Sequence, residues 1–400
     1  MLVRRKTMAK SIALISGKGG SGKTTLALSI SSMFANAGMR VLLIDCDLAT
    51  NGATYFFENK LENSKKIYTL HNILYDESSL GDVIKVSDNL SFMPSISNLH
   101  TYEKDVGALQ SNREIVKARF ANFYKSIQYR YDIVIFDCQA GYSIELEAIL
   151  PCSDFNMAVM EADAVSSAAM RSLYLKIGHI IQERKLFQTF NKLSSDEYHI
   201  YSKVSGGTVF TNIEAVLFDW AIKKAFAVSE VPNLTDTNIK YVEQILNICQ
   251  VIFNTVIDNS HLAEKFSKYE KVLTLNKLEK KKKDLRDNIN KMKGNKRNPD
   301  LYWKAIFMAL PLVMAIVCFA ITLTIDTPDY VATLLIAVLV PLFCCASVIG
   351  GIYAMSKPYR RSIKVVKNFE EEISELNTKI DSIKKSIEKP DENNSAQDID

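Results

Sequence analysis

From Ser11 to about Val256, short apolar runs alternate with amphipathic stretches, and most of the runs are apolar at nearly every position. Strands of that kind are buried on both faces, as in a parallel sheet covered by helices. The runs predict strands over Ile12–Ser16, Val41–Asp45, Leu90–Met93, Ile133–Asp137, Phe155–Met160 and Val251–Thr255. Between the first two, Thr24 to Ala35 reads as a helix closed by Gly38. Residues 186–213 mix polar residues with Ser205-Gly206-Gly207 and read as an insertion or a loop with a short strand, with no function assigned. The pattern predicts an α/β domain over residues 1–260, a parallel sheet with helices on both faces.

After residue 260 the composition turns lysine-rich and the period changes. Apolar residues at 275, 278, 285, 289 and 292 follow a three-four spacing with Lys282 in the missing place, and Val366, Phe369, Ile373, Leu376, Ile380, Ile383 and Ile387 continue it cleanly. These are heptad seams. They predict a stalk helix over 261–300 and a heptad helix over 357–389, paired antiparallel within the chain or between subunits. The tail 390–400 is acidic and reads as disordered.

Between the seams, residues 305–325 carry no charge and would span about 30 Å as a helix, one bilayer thickness. Residues 330–356 form a second uncharged stretch, and only Asp326-Thr327-Pro328-Asp329 separates the two. Lysines and arginines flank the pair while the turn between has only acids. This predicts a two-helix transmembrane hairpin over 301–356, with both termini on the cytoplasmic side of the cytoplasmic membrane and the lipid bilayer as a partner.

Composition adds bounds. With 48% apolar residues in 400, a sizeable core is available, and a formal charge of +4 is too small to argue for nucleic acid; no distinct basic patch does so either. The seven cysteines have no C-x-x-C spacing, which fits reduced thiols rather than a disulfide or zinc framework. Met1 to Lys10 is basic with no apolar segment ahead of the first strand, which predicts no secretory signal.

The chemistry is concentrated in Gly17-Lys18-Gly19-Gly20-Ser21-Gly22-Lys23-Thr24-Thr25, which completes the G-x-x-x-x-G-K-[ST] phosphate loop between a strand and a helix. Glycines let backbone N–H groups curl around phosphate oxygens, and the helix that follows aims its positive end at the same place. Lys23 would contact the outer phosphates and the Thr24 hydroxyl would ligate Mg²⁺. Two further strand ends carry carboxylates: Asp45-Cys46-Asp47, with two acids pointing the same way, and Asp137 after four apolar residues, the form of a Walker B.

The extra lysine, Lys18, makes the loop resemble the deviant Walker A of the ParA/MinD family of SIMIBI-class P-loop ATPases, over roughly residues 9–260. The resemblance implies an ATP- and Mg²⁺-dependent homodimer in which Lys18 reaches the nucleotide of the other subunit. It implies that Asp45 lies near the metal with Thr24 and Asp137, that Asp47 orients the attacking water, and that Asn254 reads adenine. It places a dimer face near Met160 to Ser166. Cys138-Gln139-Ala140-Gly141 resembles the family's D-x-P-A-G switch, with Gln139 where proline is usual, and Leu48-Ala49 replaces the usual proline-glutamine pair.

These readings predict a membrane-anchored, ATP-dependent dimerisation switch. It would hydrolyse ATP slowly through Lys18, Lys23 and Asp47, and an unidentified protein partner would stimulate it. Two rivals stand beside it. One is a bacterial tyrosine-kinase-like enzyme, disfavoured because the last tyrosine is Tyr359. The other is a nucleotide-stabilised membrane scaffold with little turnover.

Overall fold

The computed structural model describes residues 8–57, 68–75, 83–96, 113–181, 186–201, 210–231, 234, 239–294, 313, 316, 342 and 364–388. The chain divides into two compact units, Met1–Glu270 and Lys271–Asp400.

The first unit is built on one sheet with the strand order β3-β4-β2-β5-β1-β6-β7-β8. In chain order the strands are β1 Lys10–Ser16, β2 Val41–Cys46, β3 Ile84–Lys85, β4 Leu90–Met93, β5 Ile133–Ala140, β6 Phe155–Met160, β7 Leu186–Phe190 and β8 Phe210–Asn212. All pairings are parallel except that of the short edge strand β3 with β4. β2 and β6 are buried along their whole length, as the continuous apolar runs require.

The helices, in chain order, are α1 Lys23–Asn36, α2 Gly52–Phe56, α3 Leu70–Tyr75, α4 Arg113–Ile127, α5 Ile144–Ile149, α6 Ala164–Ile181, α7 Ser195–Tyr201, α8 Trp220–Ala227, α9 Ile239–Val256 and α10 Ser260–Gly294. Leu26, Ile30, Met33 and Phe34 of α1 are fully buried. Phe253 of α9 stacks on Phe266 at 5.1 Å, and Lys265 Nζ caps the α1 turn by donating to the Gly38 carbonyl at 2.9 Å.

The topology fixes where a ligand binds. β1 lies between β5 and β6, so the chain leaves β1 toward one side and later returns to the other. In open α/β sheets the crevice at the carboxyl ends of the strands flanking such a reversal is the binding site. The phosphate loop, Asp45 to Asp47 and Asp137 to Gly141 all lie at the ends of β1, β2 and β5 at that crevice.

One strand assignment is corrected. Val251–Thr255, expected as a strand, lies inside helix α9. Tyr241, Ile245, Ile248, Cys249, Ile252 and Phe253 are buried at helical spacing. A short apolar run cannot by itself distinguish a buried strand from the buried face of a helix.

The membrane hairpin is corrected as well. Among the described residues no helix is long and apolar enough to cross a membrane. The longest of the helices above, α10, is 35 residues but lysine-rich. A bilayer crossing needs about 20 consecutive apolar helical residues, and absence of charge in a sequence window meets only part of that requirement. Residues 305–325 and 330–356, apart from positions 313, 316 and 342, and the acidic tail 390–400 lie outside the described residues. The expected multi-pass placement in a cytoplasmic membrane, with lipid as a partner, therefore does not stand.

In the second unit, residues 364–388 are helical. Lys281 Nζ lies 2.7 Å from Glu372 Oε1 and Lys384 Nζ 3.1 Å from Glu279 Oε1, so this helix meets the end of α10 within one chain. Such exposed pairs contribute little. Leu285, Ile289, Val366, Leu376 and Ile380 are buried along the seam and stabilise the pairing more, at about 1.5 to 3 kcal/mol per fully buried aliphatic side chain.

Candidate nucleotide site

The phosphate loop is shaped by its glycines. Gly20 and Gly22 have φ of 81° and 90°, in the left-handed region that a side chain disfavours. A Cβ at Gly22 would also run into the side-chain amide of Asn191, and one at Gly17 into the backbone of Ala169 on α6. The loop is thus seated between α6 and the end of β7. Asn191 Nδ2 donates to the Ser21 carbonyl at 2.9 Å, and Lys192 Nζ donates to the Gly20 carbonyl. With these carbonyls turned outward and engaged, the loop N–H groups are left to face a phosphate.

A cavity of about 530 Å³ opens over the loop. Gly19, Gly20, Gly22, Lys23, Thr24 and Thr25 form its floor, with Asp47 and Gln139 at one side. Leu217, Phe218, Phe226 and Tyr241 add an apolar part of the lining suited to a base. Phe226 is held edge-on to Phe56 of α2 at 4.1 Å, and the Tyr241 hydroxyl is 2.9 Å from Ser29 Oγ on α1.

Behind the floor lie two acids. Parallel pairing sets Asp45 directly opposite Asp137 on β2 and β5, and both are buried. Burial, and for Asp45 the neighbouring Asp137, push both carboxyls above the ordinary carboxylate range. Lys23 and the Thr24 hydroxyl oppose the rise at Asp137. Asp45 accepts from Thr54 N and Oγ1 at 2.8 and 2.6 Å and from Asp47 N at 3.0 Å. It therefore ties the loop between β2 and α2 to the sheet. Asp137 Oδ1, by contrast, is buried with no hydrogen-bond partner.

An unpartnered buried carboxylate oxygen beside Thr24 and a phosphate loop fits a divalent cation, which would neutralise phosphate charge. Thr24 and Asp137 would hold it, with Asp45 behind them. Among the described residues no group of three or more His, Cys, Asp or Glu forms a self-sufficient metal cage.

A family model described as an AAA domain matches residues 9–190. Among curated relatives, the sporulation initiation inhibitor protein Soj of Bacillus subtilis (strain 168) is 30% identical over 149 residues, 37% of this chain and 56% of that protein. The cell division protein PomZ of Myxococcus xanthus (strain DK1622) is 30% identical over 190 residues, 47% of this chain and 53% of that protein. A solved structure of a plasmid partition protein from Borrelia burgdorferi B31, bound to AMPPNP, matches the fold with a TM-score of 0.51 at 20% identity, covering 62% of this chain and 99% of that one.

That family model covers just under half of the chain and includes the phosphate loop, Asp45 to Asp47 and Asp137 to Gly141. The chain spans only about half the length of the two curated relatives named.

The cavity and its loop gather most of the expected site residues. Gly19, Gly20, Gly22, Lys23, Thr24, Thr25 and Asp47 line the cavity, while Gly17 and Ser21 belong to the loop behind it. Asp47 is not idle: its carboxylate accepts from Thr50 N at 2.8 Å and Thr50 Oγ1 at 2.5 Å. Lys18 does not line the cavity; its Nζ lies 2.9 Å from Glu161 Oε2 and 2.9 Å from Asp163 Oδ2. Glu161 and then Asp163 raise its pKa, so it stays charged.

Asn254 is corrected as the base reader. It is exposed on helix α9 and is not among the cavity-lining residues, because the run that contains it is helical and no strand delivers it to the crevice. Asn191 is the asparagine at a strand end in this site, immediately after β7. Leu186–Phe190 is an apolar run ending in Asn191-Lys192, and that short run was the available signal.

Proposed function

We propose that the chain is an ATP-dependent dimerisation switch. ATP with Mg²⁺ occupies the cavity over the phosphate loop, two ATPase domains close on it, and slow hydrolysis reopens the pair. A protein partner binds the closed form and stimulates turnover. In the closed pair Lys18 of each subunit reaches the phosphates held by the other, Lys23 contacts the outer phosphates, and Asp47 orients water. Positioning and charge stabilisation suffice, because phosphoryl transfer asks little covalent chemistry of the protein.

The observation that carries this reading is the place of Lys18. It sits inside the phosphate loop, yet its charge points out of its own cavity onto Glu161 and Asp163. A cation so placed is held off the nucleotide on its own side, and in the closed pair it exchanges Glu161 and Asp163 for the phosphates of the facing subunit. The relatives support the nucleotide, since the plasmid partition protein binds AMPPNP in the same fold.

Asp47→Ala separates binding from turnover. With ATP and Mg²⁺ this variant accumulates as a long-lived dimer while phosphate release falls. A variant that turns over ATP at the wild-type rate removes Asp47 from the mechanism.

A further inference from the structure

Strands β2 and β5 run in register through Asp45 opposite Asp137 and Cys46 opposite Cys138. Just past the end of that register, Asp47 and Gln139 both line the cavity beside Lys23 and Thr24. Between Asp137 and Ala140 the pairing of β5 with β1 shifts by one residue, Leu14 facing Asp137 and Ser16 facing Ala140, and Gln139 lies in that irregularity, a device that re-aims a side chain. We propose that Gln139 is a second catalytic residue for hydrolysis, holding the attacking water between itself and Asp47. This rests on the ATPase switch proposed above.

The backbone of Gln139 is fixed from both sides. Cys138 pairs with Cys46 of β2, Ala140 pairs with Ser16 of β1, and Gly141 N donates to the Ser16 carbonyl at 2.8 Å. β5 continues through this position to Ala140. The family resemblance would put proline here, which supplies no N–H and no polar side chain. Glutamine supplies both, in a half-buried setting.

The chemistry calls for a group of this kind. A carboxylate only accepts hydrogen bonds, and both oxygens of Asp47 already accept from Thr50. A carboxamide accepts at Oε1 and donates at Nε2. Oε1 takes a hydrogen bond from the water while Nε2 donates to an oxygen of the terminal phosphoryl group. The water oxygen then bonds to the terminal phosphorus, the bond to the bridging oxygen breaks with its electron pair leaving on ADP, and the water proton passes to a phosphate oxygen. Nothing else is consumed.

The test compares wild type, Gln139→Ala and Gln139→Glu by single-turnover hydrolysis, by equilibrium titration with ATP and Mg²⁺, and by the lifetime of the ATP-loaded dimer after a chase. Gln139→Ala is expected to slow hydrolysis about 100-fold, the loss typical of removing one preorganised group. Its ATP affinity stays at the wild-type value and its dimer lifetime lengthens. Gln139→Glu keeps the shape but loses the donor, so it is slow as well, and it reports in place of the alanine variant should that one fail to fold. Wild-type hydrolysis in both variants overturns this inference alone, as does a loss of ATP affinity that accounts for the whole fall in rate. A wild-type chain that binds no ATP overturns the switch itself, and this inference with it.

Discussion

Lys18 Nζ donates to Asp163 Oδ2 at 2.9 Å, while Oδ1 of the same carboxylate accepts the N–H of Ser166 at 2.7 Å at the start of helix α6. One side chain therefore both caps a helix and holds the lysine of the phosphate loop. The Ser166 N–H and then Lys18 draw the Asp163 carboxyl down to about 2. The two contacts are separable by chemistry, since asparagine caps a helix as well as aspartate does but carries no charge.

Asp163→Asn is accordingly expected to leave the melting temperature in place and to free Lys18 in part, with Glu161 still holding it. The ATP concentration needed for half-maximal dimerisation should fall a few-fold, measured by sedimentation velocity across an ATP series. A rise in that concentration would mean that the ion pair prepares Lys18 for its partner rather than restraining it.

Asn191 is buried, and its amide satisfies the Ser21 carbonyl inside the phosphate loop. Asn191→Ala leaves that carbonyl unpaired, at a cost of about 1 to 3 kcal/mol. If half of that appears in nucleotide binding, ATP affinity drops by up to roughly tenfold. Titration calorimetry checks it, and an unchanged affinity would show that the loop holds its shape without the clamp.

Gly17 packs so closely on α6 that an added methyl would overlap the Ala169 backbone. Gly17→Ala should cost about 1 to 3 kcal/mol in urea unfolding, the range for overpacking in a close-packed site. Ser16→Ala is the control, since Ser16 Oγ donates only to the Lys18 carbonyl at 2.7 Å and leaves the packing alone.

Arg40 and Asp132 make stability depend on pH away from the site. Arg40 Nη2 is 2.7 Å from Asp132 Oδ1, and Arg40 N donates to Oδ2 at 2.8 Å. Partial burial raises the Asp132 carboxyl, but the Arg40 contacts outweigh it and hold it below the ordinary value. A group depressed in the folded state stabilises fully above its unfolded pKa of about 3.9 and loses that contribution as pH falls through the folded value. Asp132→Asn should therefore cost about 1 kcal/mol or less at pH 7, allowing for screening of the half-exposed guanidinium, and should cost progressively less below pH about 4. Chemical denaturation at both pH values decides it.

The sheet was legible where burial on both faces made strands continuous in apolar residues, as in Val41 to Cys46 and Phe155 to Met160. The phosphate loop was legible because its backbone needs glycine at Gly20 and Gly22 whatever surrounds it. Legibility failed where a residue's meaning depends on distant partners. Asn191 acts on a carbonyl 170 positions away in sequence, and nothing local to it says so. The run at Val251 to Thr255 looks like a strand in a five-residue window, whereas the buried positions from Tyr241 to Phe253 show a helical period. The uncharged stretches at 305–325 and 330–356 read as membrane spans from charge and length alone, and the described helices offer none that qualifies. The apolar wall of Leu217, Phe218 and Phe226 carries no motif at all.

The most direct measurement is sedimentation velocity of wild type and Lys18→Ala, each with and without ATP and Mg²⁺. The wild-type chain should shift from monomer to dimer when nucleotide is added, and Lys18→Ala should bind ATP yet stay monomeric. A wild-type sedimentation coefficient that is the same with and without nucleotide, or a Lys18→Ala variant that dimerises as readily as wild type, would contradict a site completed by the lysine of a facing subunit.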